Sequence, residues 1–328
     1  MFKTIFILIG ILVIASTDVE AQRRTRRRGH EKKRVPERYE PIKKIPKREP
    51  ILFRFEVRPE LFYHSLSMSD YNKFSDAMRK DTSLAKISPK FKQFPGLRSA
   101  IGVEFEGACF YQEMIGVGLG IGRIGKGVDF NASGLEKTET DSFKQEYKYQ
   151  FHTSTIPLLL TLYYILPIPV VRVTTCIGTG LYITSATGKN YRCSELLGQE
   201  MYALTSYEIS GKNLKGTGLG FHMGVRGDYP ILKWLSVYVD TKIRIAKVCP
   251  LKGKVTMEGK EKVQLPWVRE DTTWKETGDG KIWFYWEDGK EPYFSPLIDK
   301  KAEKKENWRE GSVNFSGIKI GAGIMLRF

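Results

Sequence analysis

The chain has 328 residues and a formal net charge of +16, and 41% of its residues are hydrophobic. Beyond the N-terminus it has no apolar run of the roughly 20 residues that a membrane-spanning helix needs, which argues against a helical membrane protein. No Cys-x-x-Cys spacing occurs among the four cysteines, and the four histidines are scattered, so a structural zinc site has little support.

The N-terminus has the pattern of an export signal. Lys3 precedes an apolar run from Ile5 to Ile14, and Val19 and Ala21 fit the small-residue rule for cleavage. We therefore expect residues 1–21 to be a signal peptide and the mature chain to begin near Gln22.

Residues 22–50 carry much of the positive charge, with thirteen lysines and arginines against four glutamates. Four prolines and little apolar periodicity predict a disordered basic tail, which we place in the periplasm. Such a tail can contact anionic envelope surfaces. Since an exported chain rarely meets nucleic acid, we expect no nucleic-acid partner.

From residue 52 onward the chain alternates apolar and polar side chains, which is typical of two-faced strands. In the first segment Phe53 and Phe55 alternate with Arg54 and Glu56. Eight segments of this kind occur, over residues 52–64, 100–111, 114–130, 147–165, 171–183, 217–229, 235–248 and 313–328.

The connections between these segments alternate in length. Long loops are predicted at about 66–97, 131–146, 188–215 and 249–311, and the others are a few residues each. In the first, Ser69 and Asp70 could cap a short helix that runs to Arg79. An even strand number with short turns at one rim predicts an eight-stranded antiparallel transmembrane up-and-down β-barrel over residues 51–328, with short periplasmic turns and long extracellular loops.

One face of each strand is apolar, and the other holds charge and glycine. A soluble ligand-binding barrel would put the apolar face inside, but the export signal and the loop asymmetry favour lipid outside. Charges on a lipid face cost roughly 2–4 kcal/mol each near the midplane. We therefore predict a luminal ion-pair network formed by Arg54, Glu56, Arg58, Glu104, Glu106, Arg172, Arg226, Asp240, Lys242, Arg244 and Lys319.

Two of the four cysteines fall in or beside predicted loops. Cys193 and Cys249 could form a disulfide if those loops meet, as disulfides are common in exported proteins.

The strand that begins Ser154-Thr155-Ile156-Pro157, the glycine-alternating strands and the ending from Gly321 to Phe328 together resemble small Gram-negative outer-membrane β-barrels, PorT-like and OmpA-transmembrane-like. The resemblance implies a location in the outer membrane, with contacts to outer-membrane lipid and both chain termini in the periplasm. It also implies insertion by the barrel assembly machinery, with Phe328 as the assembly signal.

The loop at 249–311 is rich in aromatic residues. The pairs Asp279-Gly280 and Asp288-Gly289 flank Lys281 to Glu287, which predicts a hairpin within a small β-meander. Its aromatic side chains could form the core of the meander or a surface that binds an envelope or extracellular protein.

We expect a structural or interaction role through the extracellular loops, with no cofactor and no catalysis. One alternative is a lipid-modifying enzyme that uses His64, His152 or His222, since Ser65 and Ser154 lie close to two of them in sequence. The other is a narrow channel or a component of a secretion assembly.

Overall fold

The structure is a computed structural model that describes residues 53–112, 114–137, 139–166, 172–285, 293–298 and 308–328. The expected signal peptide at 1–21 and basic tail at 22–50 lie outside the described residues. In the described part the chain is dominated by antiparallel strands, as the sequence predicts.

The described part of the chain contains thirteen strands in place of the eight predicted. They are β1 Phe53–Ser65, β2 Ser99–Tyr111, β3 Ile115–Lys137, β4 Ser142–Leu166, β5 Arg172–Leu197, β6 Tyr202–Pro230, β7 Leu235–Val248, β8 Lys252–Leu265, β9 Val268–Tyr285, β10 Tyr293–Ile298, β11 Trp308–Glu310, β12 Val313–Asn314 and β13 Gly317–Arg327. Two helices, α1 Ser69–Lys80 and α2 Thr82–Ile87, and a 3-10 turn at Pro89–Gln93 lie between β1 and β2.

A ring of strands closes through antiparallel pairing. The order runs from β1 to β7 in sequence, β7 pairs with β13, and β13 pairs back to β1. In the ring the last strand is thus hydrogen-bonded to the first, with Leu61 opposite Ala322. Because the first and last strands are neighbours in the ring, their apolar residues lie on the same outer face although the strands are far apart in sequence.

The sheet also continues past the ring. The N-terminal part of β6 pairs with β8 in place of β7, and β8 pairs in turn with β9, which pairs with β10 and β11. We call the part of the sheet beyond the ring, formed by residues 126–137, 142–153, 184–216 and 252–298 where described, the extension. The ring and the extension share β3 to β6, so these strands are far longer than the sequence pattern indicates.

The predicted loops at 131–146, 188–215 and 249–311 are therefore largely strand. Strict alternation fails there because polar side chains stand on both faces, as in the segment from Ser142 to Glu146. The hairpin turn expected at Asp279-Gly280 is also wrong, since both residues lie inside β9. Gly280 serves a close approach instead: a Cβ there would meet Val255 at 2.7 Å. Asp288-Gly289 lies outside the described residues.

Helices cover the inner face of the extension. The predicted helix is present as α1, but its N-cap residue, Met68, has a left-handed backbone and no side-chain cap. Residues 66–98, which we call the cap, pack aromatic rings against the strands. The Phe94 ring lies 4.5 Å from that of Phe130, and Tyr71 stacks on Phe151 at 5.6 Å.

Asp70 ties the cap to the C-terminal part of the chain. Its carboxylate accepts hydrogen bonds from Arg309 at 2.5 and 3.0 Å and from the backbone N–H and hydroxyl of Ser312 at 3.0 and 2.8 Å. Burial alone would raise the pKa of the Asp70 carboxyl, but these hydrogen bonds outweigh it and hold the pKa below its usual value. The first turn of α1 is therefore held to the C-terminal part of the chain by these hydrogen bonds.

Asp70→Asn should loosen the cap by about 1.5–3 kcal/mol at neutral pH, because the ionised acceptor is lost. A carboxyl with a lowered folded pKa contributes stability above its unfolded pKa of about 3.9 and loses it as the pH falls through the folded value. The stability of the cap in the native chain should therefore fall to that of Asp70→Asn only in strong acid. Limited proteolysis of the cap across pH measures this, with Asp76→Asn on the exposed side of α1 as control. A difference in cleavage rate between the native chain and Asp70→Asn that stays constant down to the lowest pH would contradict this prediction.

Candidate functional site

The interior of the ring is filled with charged side chains in contact with one another. They come from the inward positions of β1, β2, β5, β6, β7 and β13, since alternate residues of each strand point into the ring. Most are buried: Arg244 and Lys319 are 0% exposed and Glu104 is 3% exposed. The side chains of Arg54 and Arg172, at the end of the ring, are 12% and 16% exposed.

Glu104 lies at the centre of one group of cations. It accepts a hydrogen bond from Arg244, and its Oε1 lies 3.4 Å from the Lys242 Nζ and 3.3 Å from the Lys319 Nζ. Lys319 also contacts Glu60 at 2.5 Å. Three strands that are far apart in sequence are thus joined through one carboxylate.

Glu106 and Asp240 form the neighbouring group. Arg226 lies 3.3 Å from Glu106 and 3.5 Å from Asp240, and Arg58 lies 3.6 Å from Glu106. The Tyr163 hydroxyl donates to Glu106. The planar guanidinium of Arg58 also lies over the Tyr163 ring, 4.6 Å from its centroid.

Glu56 holds the end of the network near the short turns. Its carboxylate contacts Arg172 at 2.8 Å, Arg54 at 3.1 Å and Arg327 at 3.6 Å, and it also binds Arg58. The structure thus brings together all eleven residues that the sequence placed in one interior group.

Sequence reasoning left Glu60 and Asp228 out of this group. Asp228 binds Arg327 of β13. The signal that could have found them is parity, because Glu60 and Asp228 each lie two residues beyond an inward arginine. Pairing partners across the ring cannot be read from the period of a single strand.

The three histidines considered for lipid chemistry have different surroundings. His64 is fully buried, and Ser65 is on the opposite face, where its Oγ accepts the N–H of Ile318 at 3.0 Å. His222 is buried beside the Thr161 hydroxyl at 3.0 Å. Neither is placed to activate a serine.

His152 differs because it points outward, with half of its side chain exposed. Its Nε2 lies 3.2 Å from Asp129 on the neighbouring strand. Ser154 is two residues further along β4 on the same face, where its Oγ accepts a hydrogen bond from the Arg123 Nε at 3.3 Å. This carboxylate partner was not apparent from sequence spacing.

The disulfide considered for Cys193 and Cys249 is not formed, and both thiols are free. Cys193 lies within β5, whereas Cys249 follows β7, with its Sγ 3.8 Å from Glu310. Burial raises the pKa of the Cys249 thiol. Cys193 was expected in a loop, so the correction follows from the greater length of β5.

Phe328 lies on the outer surface at the end of the ring. Its backbone N–H donates to Phe55 at 2.9 Å, and the Phe55 N–H donates back at 3.2 Å, so the last residue is paired to β1. Its side chain is 75% exposed. Among the described residues no helix is long and apolar enough to span a membrane, and no group of three acidic, cysteine or histidine side chains is arranged to hold a metal.

No family model matches the chain, and no curated protein matches it. Among solved structures it is similar to a major outer membrane protein from Thermus thermophilus, at 14% identity and a TM-score of 0.33, over 84% of this chain and 99% of that one. It is also similar to the outer membrane protease OmpT from Escherichia coli, at 11% identity and a TM-score of 0.26, over 85% of this chain and 97% of that one. Both TM-scores are below 0.5, so these similarities indicate no function for this chain.

Proposed function

We propose that this chain is an outer-membrane β-barrel protein whose ring spans the bilayer and whose extension binds an envelope or extracellular protein. The observation that carries the first part is a continuous apolar outer surface around a ring with a charged interior. Its members are large apolar side chains, each more than a third exposed: Phe53, Phe55, Leu61, Tyr63, Ile101, Val103, Phe105, Ile115, Val117, Leu119, Ile121, Ile156, Leu158, Leu160, Leu162, Ile177, Leu181, Ile183, Leu219, Phe221, Met223, Val225, Val237, Val239, Ile243, Ile245 and Ile324.

In a water-soluble protein most large apolar side chains lie inside and most charged ones outside, which is the reverse of this arrangement. Soluble monomers rarely expose a contiguous apolar patch beyond a few hundred Å², whereas a membrane barrel needs such a surface facing lipid. We call this surface the apolar band. Within the outer-membrane barrels we place the chain nearest to the PorT-like and OmpA-transmembrane-like group, as an eight-stranded ring.

Aromatic side chains at one rim support the orientation. Membrane barrels carry aromatic girdles at the interfaces, and exposed rings cluster where the connections are short, at Phe53, Tyr111, Tyr164, Tyr229, Trp234 and Phe328. We assign this rim, with both ends of the described chain, to the periplasm. The extension and cap then lie outside the cell, and the barrel assembly machinery would recognise Phe328.

The extension offers two features suited to protein recognition. Trp267 lies at the turn between β8 and β9 with 78% of its surface exposed, and exposed tryptophans are frequent anchors of interfaces. Tyr191, Tyr207 and Trp274 line a groove of about 410 Å³ formed by β5, β6, β8 and β9. By contrast Trp283, Phe284 and Phe294 are buried and form the core of the extension.

Two measurements test this proposal. The folded chain should fractionate with the outer membrane and change its gel mobility on boiling. A photo-crosslinking amino acid at Trp267 should then capture a protein in intact cells, whereas the same probe at Leu119 should capture lipid alone. A boiling-insensitive, soluble chain would refute the barrel, and equal protein capture at both positions would refute the interaction role.

An open channel is disfavoured because the ring is filled. Arg58, Arg226 and Arg244 are each at most 2% exposed. Arg226 on β6 reaches across the interior to Glu106 on β2, and Arg244 on β7 reaches Glu104, which is also on β2. Bilayers containing the protein should therefore show no steady ion conductance. Stable conductance steps would favour the channel, and crosslinks to envelope secretion proteins would favour a role in a secretion assembly.

Hydrolysis of a lipid ester is the second candidate function, and the His152–Asp129 pair beside Ser154 favours it. Asp129 would orient the imidazole, and His152 would take the proton of the serine hydroxyl as its oxygen attacks the ester carbonyl. The C–O bond of the ester would break as the acyl group passes to Ser154, and the leaving alcohol would take the proton from His152. Water, deprotonated by His152, would then release the acid and restore the Ser154 hydroxyl. If this is correct, His152→Ala and Ser154→Ala should both change the lipid profile of membranes, and Thr161→Ala, beside buried His222, should not. An unchanged profile in both variants would exclude it.

A further inference from the structure

Lysines face one another across two adjacent strands at the base of the extension. Lys215 on β6 is directly opposite Lys252 on β8, and Lys212 is opposite Lys254 one step further along. The register shifts between the two pairs, where Asn213 has a left-handed backbone. Residues directly opposite in an antiparallel pair share a face, and like charges in such positions are destabilising.

A fifth lysine reaches the same place from a third strand. Here β7 separates from β6 after the pair Gly220–Ala246, and β8 takes its place beside Lys215. Just beyond that pair the two strands still lie so close that a Cβ on Gly218 would overlap the Lys247 carbonyl. Lys247 is exposed near the end of β7, in line with the outward residues of that strand. We call Lys212, Lys215, Lys247, Lys252 and Lys254 the lysine corner.

Acidic side chains do not neutralise this corner. Within the described residues only Lys254 forms an ion pair, with Asp279 at 2.9 Å, and both of those side chains are more than 70% exposed. Exposed pairs of this kind contribute little. Elsewhere on the extension lysines do have partners, as Lys189 has in Glu208 at 2.8 Å. The concentration of unneutralised charge is therefore local, and folding gains nothing from it.

The position of the corner points to its ligand. It lies immediately beyond the apolar band, next to Leu219, Phe221 and Ile245, which are 73%, 67% and 64% exposed. Leu219 follows Lys215 by four residues on the same strand, and Ile245 precedes Lys247 by two. Positive charge directly above exposed apolar side chains matches an amphiphile with an anionic headgroup and apolar tails.

We propose that the lysine corner binds the phosphate of a membrane lipid headgroup, with the acyl chains lying along Leu219, Phe221 and Ile245. The assignment rests on the barrel function proposed above. Phosphate oxygens accept charge-assisted hydrogen bonds from several lysines at once, which removes the repulsion within each pair. Each lysine near an anionic lipid surface strengthens its binding, so losing two should weaken lipid retention by about tenfold or more.

The test uses the full chain folded in detergent, mixed with phosphatidic acid or with phosphatidylcholine, and mass spectrometry of the lipid that co-purifies. The native chain should retain phosphatidic acid over phosphatidylcholine. The double variant K215Q/K252Q should lose about tenfold of that retention. The control K260Q/K275Q removes the same charge from the far part of β8 and β9 and should retain the lipid as the native chain does. Equal loss in both variants, or loss in neither, would overturn the proposal.

Two further measurements separate the outcomes. Inorganic phosphate at millimolar concentration should compete weakly, since it lacks the apolar tails, and full displacement would overturn a lipid ligand in favour of free phosphate. Boiling-dependent gel mobility should be unchanged in K215Q/K252Q, because relief of repulsion does not harm folding. If the native chain itself shows no change in gel mobility on boiling, the barrel proposal is refuted. If it shows that change but does not retain phosphatidic acid selectively, only the proposal that the lysine corner binds lipid is refuted.

Discussion

Replacing Glu104 with glutamine should destabilise the folded chain by about 3–5 kcal/mol, the largest effect expected of a single interior change. Glu104 is the shared acceptor of Arg244, Lys242 and Lys319, and all three cations are buried. The amide keeps the volume of the side chain but not its charge. Arg244 then loses its only carboxylate partner among the described residues. Lys242 keeps Asp240 at 3.3 Å and Lys319 keeps Glu60 at 2.5 Å, and all three cations are buried away from water.

The measurement is urea unfolding in lipid vesicles, followed by the boiling-dependent gel shift. Glu146→Gln is the matched control, since Glu146 pairs with Lys148 at 2.8 Å on the partly exposed surface. It should change the free energy of unfolding by about 0.5 kcal/mol or less. Adding Arg244→Met to Glu104→Gln should recover part of the loss, because the cation that has lost its carboxylate partner is removed. A loss as small as that of the control would show that the interior is wet.

The ring could be predicted from the sequence because its two environments differ so strongly. An apolar outer surface and a packed charged interior force an apolar–polar period of two, and Ile318 to Phe328 keep it without a break. The same period identifies inward charges such as Glu104 and Lys319 as members of one group. Which carboxylate contacts which cation depends on the register and the tilt of the strands around the closed ring. Neither can be read from the sequence of a single strand.

The extension and cap could not be predicted in the same way. Where the strands continue beyond the ring, both faces accept polar residues, and the alternation that identifies a strand is lost between residues 131 and 146. Asp70 is of a residue type that caps helix N-termini, so the sequence suggests a local role for it. Its carboxylate instead binds Arg309, which lies 239 residues further along the chain. Cross-strand lysine pairs are also invisible in the sequence, because Lys215 and Lys252 become neighbours only through the pairing of β6 with β8.

Phe94→Ala should open the cap while leaving the ring folded. The Phe94 side chain is 1% exposed and contacts the rings of Phe130, Phe74 and Tyr149 at 4.5 to 5.6 Å, so it joins the cap to the extension. Truncating a buried phenylalanine costs about 3–5 kcal/mol. That cost falls on the cap, because none of these contacts reaches the charged interior.

Limited proteolysis with trypsin reads the opening directly. Lys80, Lys86, Lys90 and Lys92 lie within the cap, and cleavage there should become faster in the variant, by up to several hundredfold if opening is rapid relative to cleavage. Phe55→Ala is the control, because that ring points outward from β1 with 57% of its surface exposed, and it should leave cap cleavage unchanged. The boiling-dependent gel shift should persist in both variants. If Phe94→Ala instead abolishes the shift, the cap and the ring fold as one cooperative unit, and the extension cannot move independently of the membrane-spanning part.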